Sequence, residues 1–191
     1  SVINRKPDSP DRIFSKAGNR MKKIVFIAAS QKFRDEEYIE PKEILEQAGF
    51  EIITASTVVG EIYGKIKIRA VSDILVKDIN PDDYEAVVFI GGSGASVYFN
   101  DGFVHNLIKV FLKSGKIVAA ICIAPVILAN AGILKGKKAT VFPDGADALI
   151  KGGAQYTAKN VENDGNILTG NGPESAKEFA NFLITMLNKH K

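Results

Sequence analysis

Four short, nearly unbroken apolar runs, separated by stretches of helical or turn character, restrict this chain to a parallel sheet covered on both faces. Lys23–Ala29 (KIVFIAA), Glu51–Ala55, Ala86–Ile90 and Lys116–Ile121 have the length of strands, and a run that is apolar on both sides of its pleat must be buried on both. Between them, Pro41–Ala48 with Gly49 behind it reads as a helix with a glycine C-cap, and Gly102–Lys113 as an amphipathic helix. Residues 61–78 alternate apolar and polar around Gly64, which predicts a small antiparallel excursion. Beyond Pro125 the pattern predicts a short helix ending at Gly132, a strand around Ala139–Phe142 and a hairpin within Val161–Leu168 turning on Asp164-Gly165. Pro173–Leu187 closes the chain as a helix with one apolar stripe. The fold class is α/β: a flavodoxin-like, doubly wound, mostly parallel sheet with helices on both faces.

At 191 residues the chain fits one domain, read as 21–191 because Met21-Lys22-Lys23 looks like a natural start. Residues 1–20 are read as an N-terminal extension; an Arg-rich transit segment is the other reading, against which Asp8 and Asp11 count. The formal charge of +3 sits in that extension, which has five basic and two acidic residues, while the rest of the chain is balanced. A neutral body lacks the dense basic face that phosphate neutralisation needs, so no nucleic-acid partner is expected. No apolar run reaches the roughly 18 residues of a membrane span, so no membrane is expected either. Cys122 is the only cysteine, and His105 and His190 are the only histidines; this excludes a disulfide framework and argues against a metal site. A lone thiol suits a reducing, cytoplasmic home.

In a doubly wound sheet ligands gather beyond the carboxyl ends of the strands, so the loops there carry function. The first, Ser30–Tyr38 (SQKFRDEEY), is charged but has neither a phosphate-cradling glycine loop nor paired aspartates. The next, Gly91-Gly92-Ser93-Gly94-Ala95, frees backbone N–H groups but lacks the third glycine of a dinucleotide fingerprint, and no cofactor is expected. Read as a serine elbow it lacks a histidine in a loop able to activate Ser93. The third contains Cys122 within AAICIAP. A nucleophile on a strained strand-to-helix turn needs small residues two before and two after it, and Ala120 and Ala124 meet that requirement. Pro125 then opens a helix whose N-terminus would favour a thiolate. The other reading of Cys122 is a small buried hydrophobe. The acidic pair Glu36-Glu37 lies in the first loop, and strand adjacency lets a carboxylate there face Cys122.

Taken together, Glu37 four residues before Pro41, Gly91-Gly92 after a buried strand, Ala119–Pro125 around Cys122, and Ile167-Leu168-Thr169 with Gly172-Pro173 resemble the DJ-1/PfpI (ThiJ/PfpI) superfamily over residues 21–188. The resemblance implies a flavodoxin-like fold and a homodimer or larger homo-oligomer. It also implies roles: Cys122 as the elbow thiol, Glu37 as the carboxyl that hydrogen-bonds it, and the N–H groups of Gly92 and Ile123 as an oxyanion hole. The chain departs from the pattern at three places. Ile123 stands where protease-like members have a histidine, Ser96 where they have an acidic residue, and Phe142 where members with glyoxalase or deglycase activity usually have a histidine.

Three functions follow as expectations. The first is thiol chemistry on small reactive carbonyls, glyoxalase- or deglycase-like, with Cys122 attacking an aldehyde and Glu37 moving the proton. The second is a non-catalytic redox sensor or chaperone-like stress protein, in which an oxidant takes Cys122 to the sulfinate. The third, a PfpI-type protease or amidase, is disfavoured because Glu37 is the only familiar base in place. His105 lies on an amphipathic helix and is expected to be solvated.

Overall fold

The computed structural model describes residues 20–66 and 68–189, so the extension expected over 1–20 lies, but for Arg20, outside the described residues. β1 (Lys23–Ile27) leads through β2 (Gln31–Phe33) into α1 (Asp35–Gln47), followed by β3 (Glu51–Ser56), β4 (Gly60–Gly64), β5 (Arg69–Ser72) and β6 (Ile74–Leu75). Next come β7 (Ala86–Phe89), α2 (Gly102–Lys113), β8 (Ile117–Ile121) and α3 (Pro125–Asn130). The chain finishes with β9 (Lys138–Ala139), α4 (Ala146–Lys151), β10 (Gln155–Tyr156), β11 (Val161–Asp164), β12 (Ile167–Gly170) and α5 (Ala176–Lys189).

The central sheet has the order β11-β12-β8-β7-β1-β3-β6, and only the β11–β12 pairing in it is antiparallel. Setting aside the edge strands β6 and β11, this is the flavodoxin-like order second-first-third-fourth-fifth. Alternation along the strands divides the core in two. Val25, Ile27, Val87, Phe89, Val118 and Ala120 pack with Val104, Leu107, Ile108 and Phe111 of α2. Ile24, Phe26, Val88, Ile117, Ala119 and Ile121 pack on the other face with Leu45 of α1 and Phe179, Leu183 and Leu187 of α5. The spacing in α2 and α5 matches the helical period, which is why those helices present one continuous apolar stripe. Asp101 caps α2, its carboxylate accepting from the N–H groups of Phe103 (2.9 Å) and Val104 (3.2 Å).

Several local expectations need correction. The first helix begins at Asp35, six residues before Pro41, so Pro41 lies inside it. Asp35, Glu36 and Glu37 fill its first turn, where carboxylates are favoured by the helix dipole, and the interior proline, buried against the core, is tolerated. Its end is as read: Gly49 adopts φ 96° and Phe50 and Gly49 donate back to Leu45 and Glu46, a Schellman closure. The 61–78 excursion is antiparallel through β4 and β5, but its continuation, β6, rejoins the main sheet beside β3. The strand at 139–142 is only Lys138–Ala139, paired with β10. The β11–β12 register pairs Asp164 with Ile167, so the turn residues are Gly165-Asn166, one position beyond Asp164-Gly165. Residues Pro173–Ser175 form a 3₁₀ turn, and the α-helix starts at Ala176.

Candidate active site

The sheet order turns around between β1 and β7, and β8 lies next to β7, so the chain ends leaving β1, β7 and β8 converge at one edge. The N–H of Arg34 donates to the Gly91 carbonyl (2.9 Å), tying the segment after β1 to the loop after β7. Gly92 has φ 98°, and an added Cβ there would lie 2.6 Å from Arg34 N and 2.6 Å from Lys32 O. Only glycine lets the two segments approach this closely.

Cys122 stands directly after β8 with φ 64°, a left-handed conformation that non-glycine residues avoid at a cost of roughly 1–3 kcal/mol. Neighbouring backbone holds it there: the Cys122 N–H donates to Gly170 O (2.9 Å), and its carbonyl accepts from the Phe142 N–H (2.7 Å). Ala120 and Ala124 are completely buried on either side, leaving no room for larger side chains at the reversal. Cys122 is 8% exposed and unpaired.

Glu37, placed by sequence in a loop, sits in the first turn of α1 and is 0% exposed. Its Oε1 accepts from the Gly91 N–H (3.1 Å), while Oε2 has no hydrogen-bond partner among the described residues. A methyl group at Gly91 would stand 2.6 Å from both Glu37 Oε1 and Cys122 Cβ, so the carboxyl and the thiol flank the same glycine. The structure thus brings Cys122, Glu37 and the Gly91-Gly92 turn together. Ile123 follows Cys122, and its N–H and that of Gly92 act on the sulfur to favour the thiolate.

Burial governs the titration of both groups. It pushes the Glu37 carboxyl up to about 8, against the smaller downward pulls of the adjoining Cys122 thiol, Arg34 and the Gly91 N–H. Burial, then the charge and closeness of the Glu37 carboxyl, push the Cys122 thiol up to about 12, with the Ile123 and Gly92 N–H groups offsetting part of this. The thiol lowered by a helix N-terminus, expected from sequence, is therefore overturned: α3 is six residues long, and its field is outweighed by desolvation. Glu37 is ionised in the state that opposes the thiolate most. Below about pH 8 the carboxyl is neutral, that opposition disappears, and its proton is available to the sulfur.

A cavity of about 280 Å³ opens at Cys122. Ile123, Phe142 and Pro173 form an apolar side, and Gly92, Ser93, Arg34, Lys65 and Asp144 complete the lining. Phe142 is 38% exposed and cannot transfer a proton. Ser96 lies off the site, its hydroxyl donating to Ser93 O (3.1 Å). His105 is only partly solvated, and its ring nitrogen contacts Phe99 O (2.9 Å). Arg34 and Lys65 escaped the sequence reading. Arg34 is visible only as part of a charged loop, and Lys65 comes from a hairpin turn whose destination no local pattern signals. Among the described residues no group of three or more His, Cys, Asp or Glu is arranged to hold a metal ion, and no helix is long and apolar enough to cross a membrane.

A flavodoxin-like sheet that carries a buried cysteine on a left-handed strand-to-helix elbow, with a buried carboxyl beside it, defines the class. The chain belongs to the DJ-1/PfpI family, whose pattern matches residues 22–186. It is 39% identical over 171 residues to an uncharacterised protein of Methanocaldococcus jannaschii, covering 88% of this chain and 83% of that one. It is 36% identical to a protein of Pyrococcus furiosus named deglycase PfpI, covering 86% and 99%. Among solved structures, a ThiJ/PfpI domain protein from Brachyspira murdochii superposes with a TM-score of 0.87 at 37% identity, covering 90% of this chain and 99% of that one.

Proposed function

We propose that the protein is a thiol-dependent enzyme acting on small reactive carbonyls, of the glyoxalase or deglycase kind. One observation carries this reading: a wholly buried carboxyl, held by the Gly91 N–H and raised to about 8, adjoins a cysteine at a strained elbow. A proton-transfer group works best when it titrates near the working pH, and Glu37 is the group here that does. Ionised Glu37 takes the proton of the thiol as the sulfur electron pair forms the S–C bond. The carbonyl π pair moves to oxygen, and the N–H groups of Gly92 and Ile123 hold the alkoxide until Glu37 returns the proton. With methylglyoxal the same carboxyl moves a proton from the former aldehyde carbon to its neighbour, the hydroxyl proton passes to the former ketone oxygen, and the resulting thioester is hydrolysed by water to lactate and the free thiol. The relatives named deglycases support the choice of carbonyl substrates. The same reading takes the protein as a cytoplasmic homo-oligomer.

Methylglyoxal consumption by wild type and Cys122→Ser, with D- and L-lactate measured separately, tests this function. Wild type is expected to form lactate, and the serine variant to lose at least about a hundredfold in rate. Equal consumption by the two proteins would remove the thiol from the mechanism. If peroxide instead converts Cys122 to the sulfinate while methylglyoxal is untouched, the redox-sensor reading takes its place.

Peptidase activity is expected to be negligible. Amide cleavage requires protonation of a leaving amine, and Ile123 and Phe142 offer no proton, while Glu37 is already committed to the sulfur. Hemithioacetal formation expels no amine, so carbonyl chemistry survives this limit. Casein hydrolysis by purified wild type should match that by Cys122→Ser; turnover lost only in the variant would contradict the argument.

A further inference from the structure

The lining of the Cys122 pocket carries two cations that thiol attack on a carbonyl does not require. Arg34 and Lys65 both line it, with Asp144 as the opposing charge. Each cation is delivered by a separate device. Glu36 accepts from Arg34 Nε (2.7 Å) and Nη2 (3.4 Å), which fixes the guanidinium at the start of α1, and among the described residues nothing bonds Nη1. Lys65 makes no ion pair among the described residues. Its turn is clamped to the segment that bears Arg34 and Glu37: the Lys65 N–H donates to Phe33 O (2.8 Å), and the Ile66 N–H donates to Oδ2 of buried Asp35 (2.7 Å). Gly64 is required beside that clamp, since a Cβ there would fall 1.4 Å from Asp35 Oδ1.

We infer that the pocket selects small aldehydes that carry their own carboxylate, Arg34 and Lys65 gripping the carboxylate while Cys122 meets the carbonyl. The inference rests on the reading of Cys122 as the nucleophile toward carbonyls, and adds the class of substrate. A guanidinium with a free edge is shaped for a carboxylate, and an ammonium beside it adds a point charge. A cavity of about 280 Å³ lies below the range of drug-sized sites, so the anionic group and the aldehyde must belong to one compact molecule. The apolar side formed by Ile123, Phe142 and Pro173 leaves a short carbon chain as the link. Bond changes are those of hemithioacetal formation: the S–C bond forms, the carbonyl π bond opens, and the thiol proton ends on the new hydroxyl. Asp35 is a positioning residue for Lys65.

Protection of Cys122 from iodoacetamide reads adduct formation directly, without turnover. Glyoxylate is the anionic probe and glyoxal the neutral one, each compared with itself across variants so that aldehyde hydration cancels. In Arg34→Met the glyoxylate concentration for half-protection should rise by about tenfold more than that of glyoxal, and in Lys65→Met by about threefold more. Arg34→Lys should recover part of the difference, Asp144→Asn should strengthen glyoxylate protection, and added salt should weaken it more than it weakens protection by glyoxal. If glyoxylate and glyoxal weaken in equal proportion in both methionine variants, the anion preference is wrong while thiol attack stands. If neither aldehyde protects wild type, the thiol reading itself fails, and this inference with it.

Discussion

Glu37→Gln is expected to make the protein more stable at pH 8 and less able to capture carbonyls. The carboxyl titrates near 4.5 when unfolded and is raised to about 8 in the native state. Between those values the unfolded chain releases a proton that the native protein keeps, so native stability is fully present below pH 4.5 and is lost as pH rises through 8. The loss is on the order of 4 kcal/mol by pH 7.5, since each unit of separation is worth about 1.4 kcal/mol. Glutamine keeps the acceptor for the Gly91 N–H and does not titrate. Urea denaturation should therefore show variant and wild type similar near pH 4, with the variant's advantage growing to pH 8 and then levelling. Loss of the proton carrier should meanwhile lower the turnover of methylglyoxal by about 10²–10⁴-fold. A stability difference independent of pH would mean that the buried carboxyl is not raised.

Gly91→Ala is expected to disable the site through one added methyl group. Gly91 lies outside the left-handed region, so alanine suits its backbone. The new Cβ would nevertheless lie 2.6 Å from Cys122 Cβ, 2.6 Å from Glu37 Oε1 and 2.8 Å from Ile121 O. Two of these atoms belong to the reacting pair and the third to the strand that bears it, so relief requires the thiol and carboxyl to move apart. Overpacking of this kind costs about 1–3 kcal/mol, and displacing positioned groups by about 1 Å costs about a hundredfold in rate. Thermal unfolding and methylglyoxal turnover measured together would show both. Wild-type turnover in a folded Gly91→Ala protein would mean that Cys122 and Glu37 need not stay adjacent.

The sheet was legible because parallel strands buried on both faces leave continuous apolar runs, as in Ile24–Ile27 and Ile117–Ile121. α2 was legible to its ends from its apolar period alone, and the structure adds the Asp101 cap at its start. The start of α1 was not: three successive carboxylates look like a loop, and Pro41 looks like a first helical residue, until packing on the sheet outweighs both signals. Small residues at Ala120 and Ala124 marked the elbow, since they are the local requirement of a tight reversal. The titration of Cys122 was hidden because a helix start can be read locally, whereas desolvation depends on what covers the site. Arg34 and Lys65 were hidden for a related reason, as their meeting depends on Asp35 holding a turn thirty-one residues away.

The central claim is that the Cys122 thiol and the Glu37 carboxyl titrate as one coupled pair. The rate of iodoacetamide alkylation against pH, for wild type and Glu37→Gln, tests it most directly. In wild type the first ionisation of the pair falls on the Glu37 carboxyl near 8, and its charge then opposes the thiolate, so alkylation should keep rising well above pH 8. In Glu37→Gln that charge is gone while the burial remains, so the thiol midpoint should move downward and alkylation above pH 8 should be faster than in wild type. Overlaid profiles, or slower alkylation in the variant, would show that Glu37 does not hold the thiol up and would contradict the account.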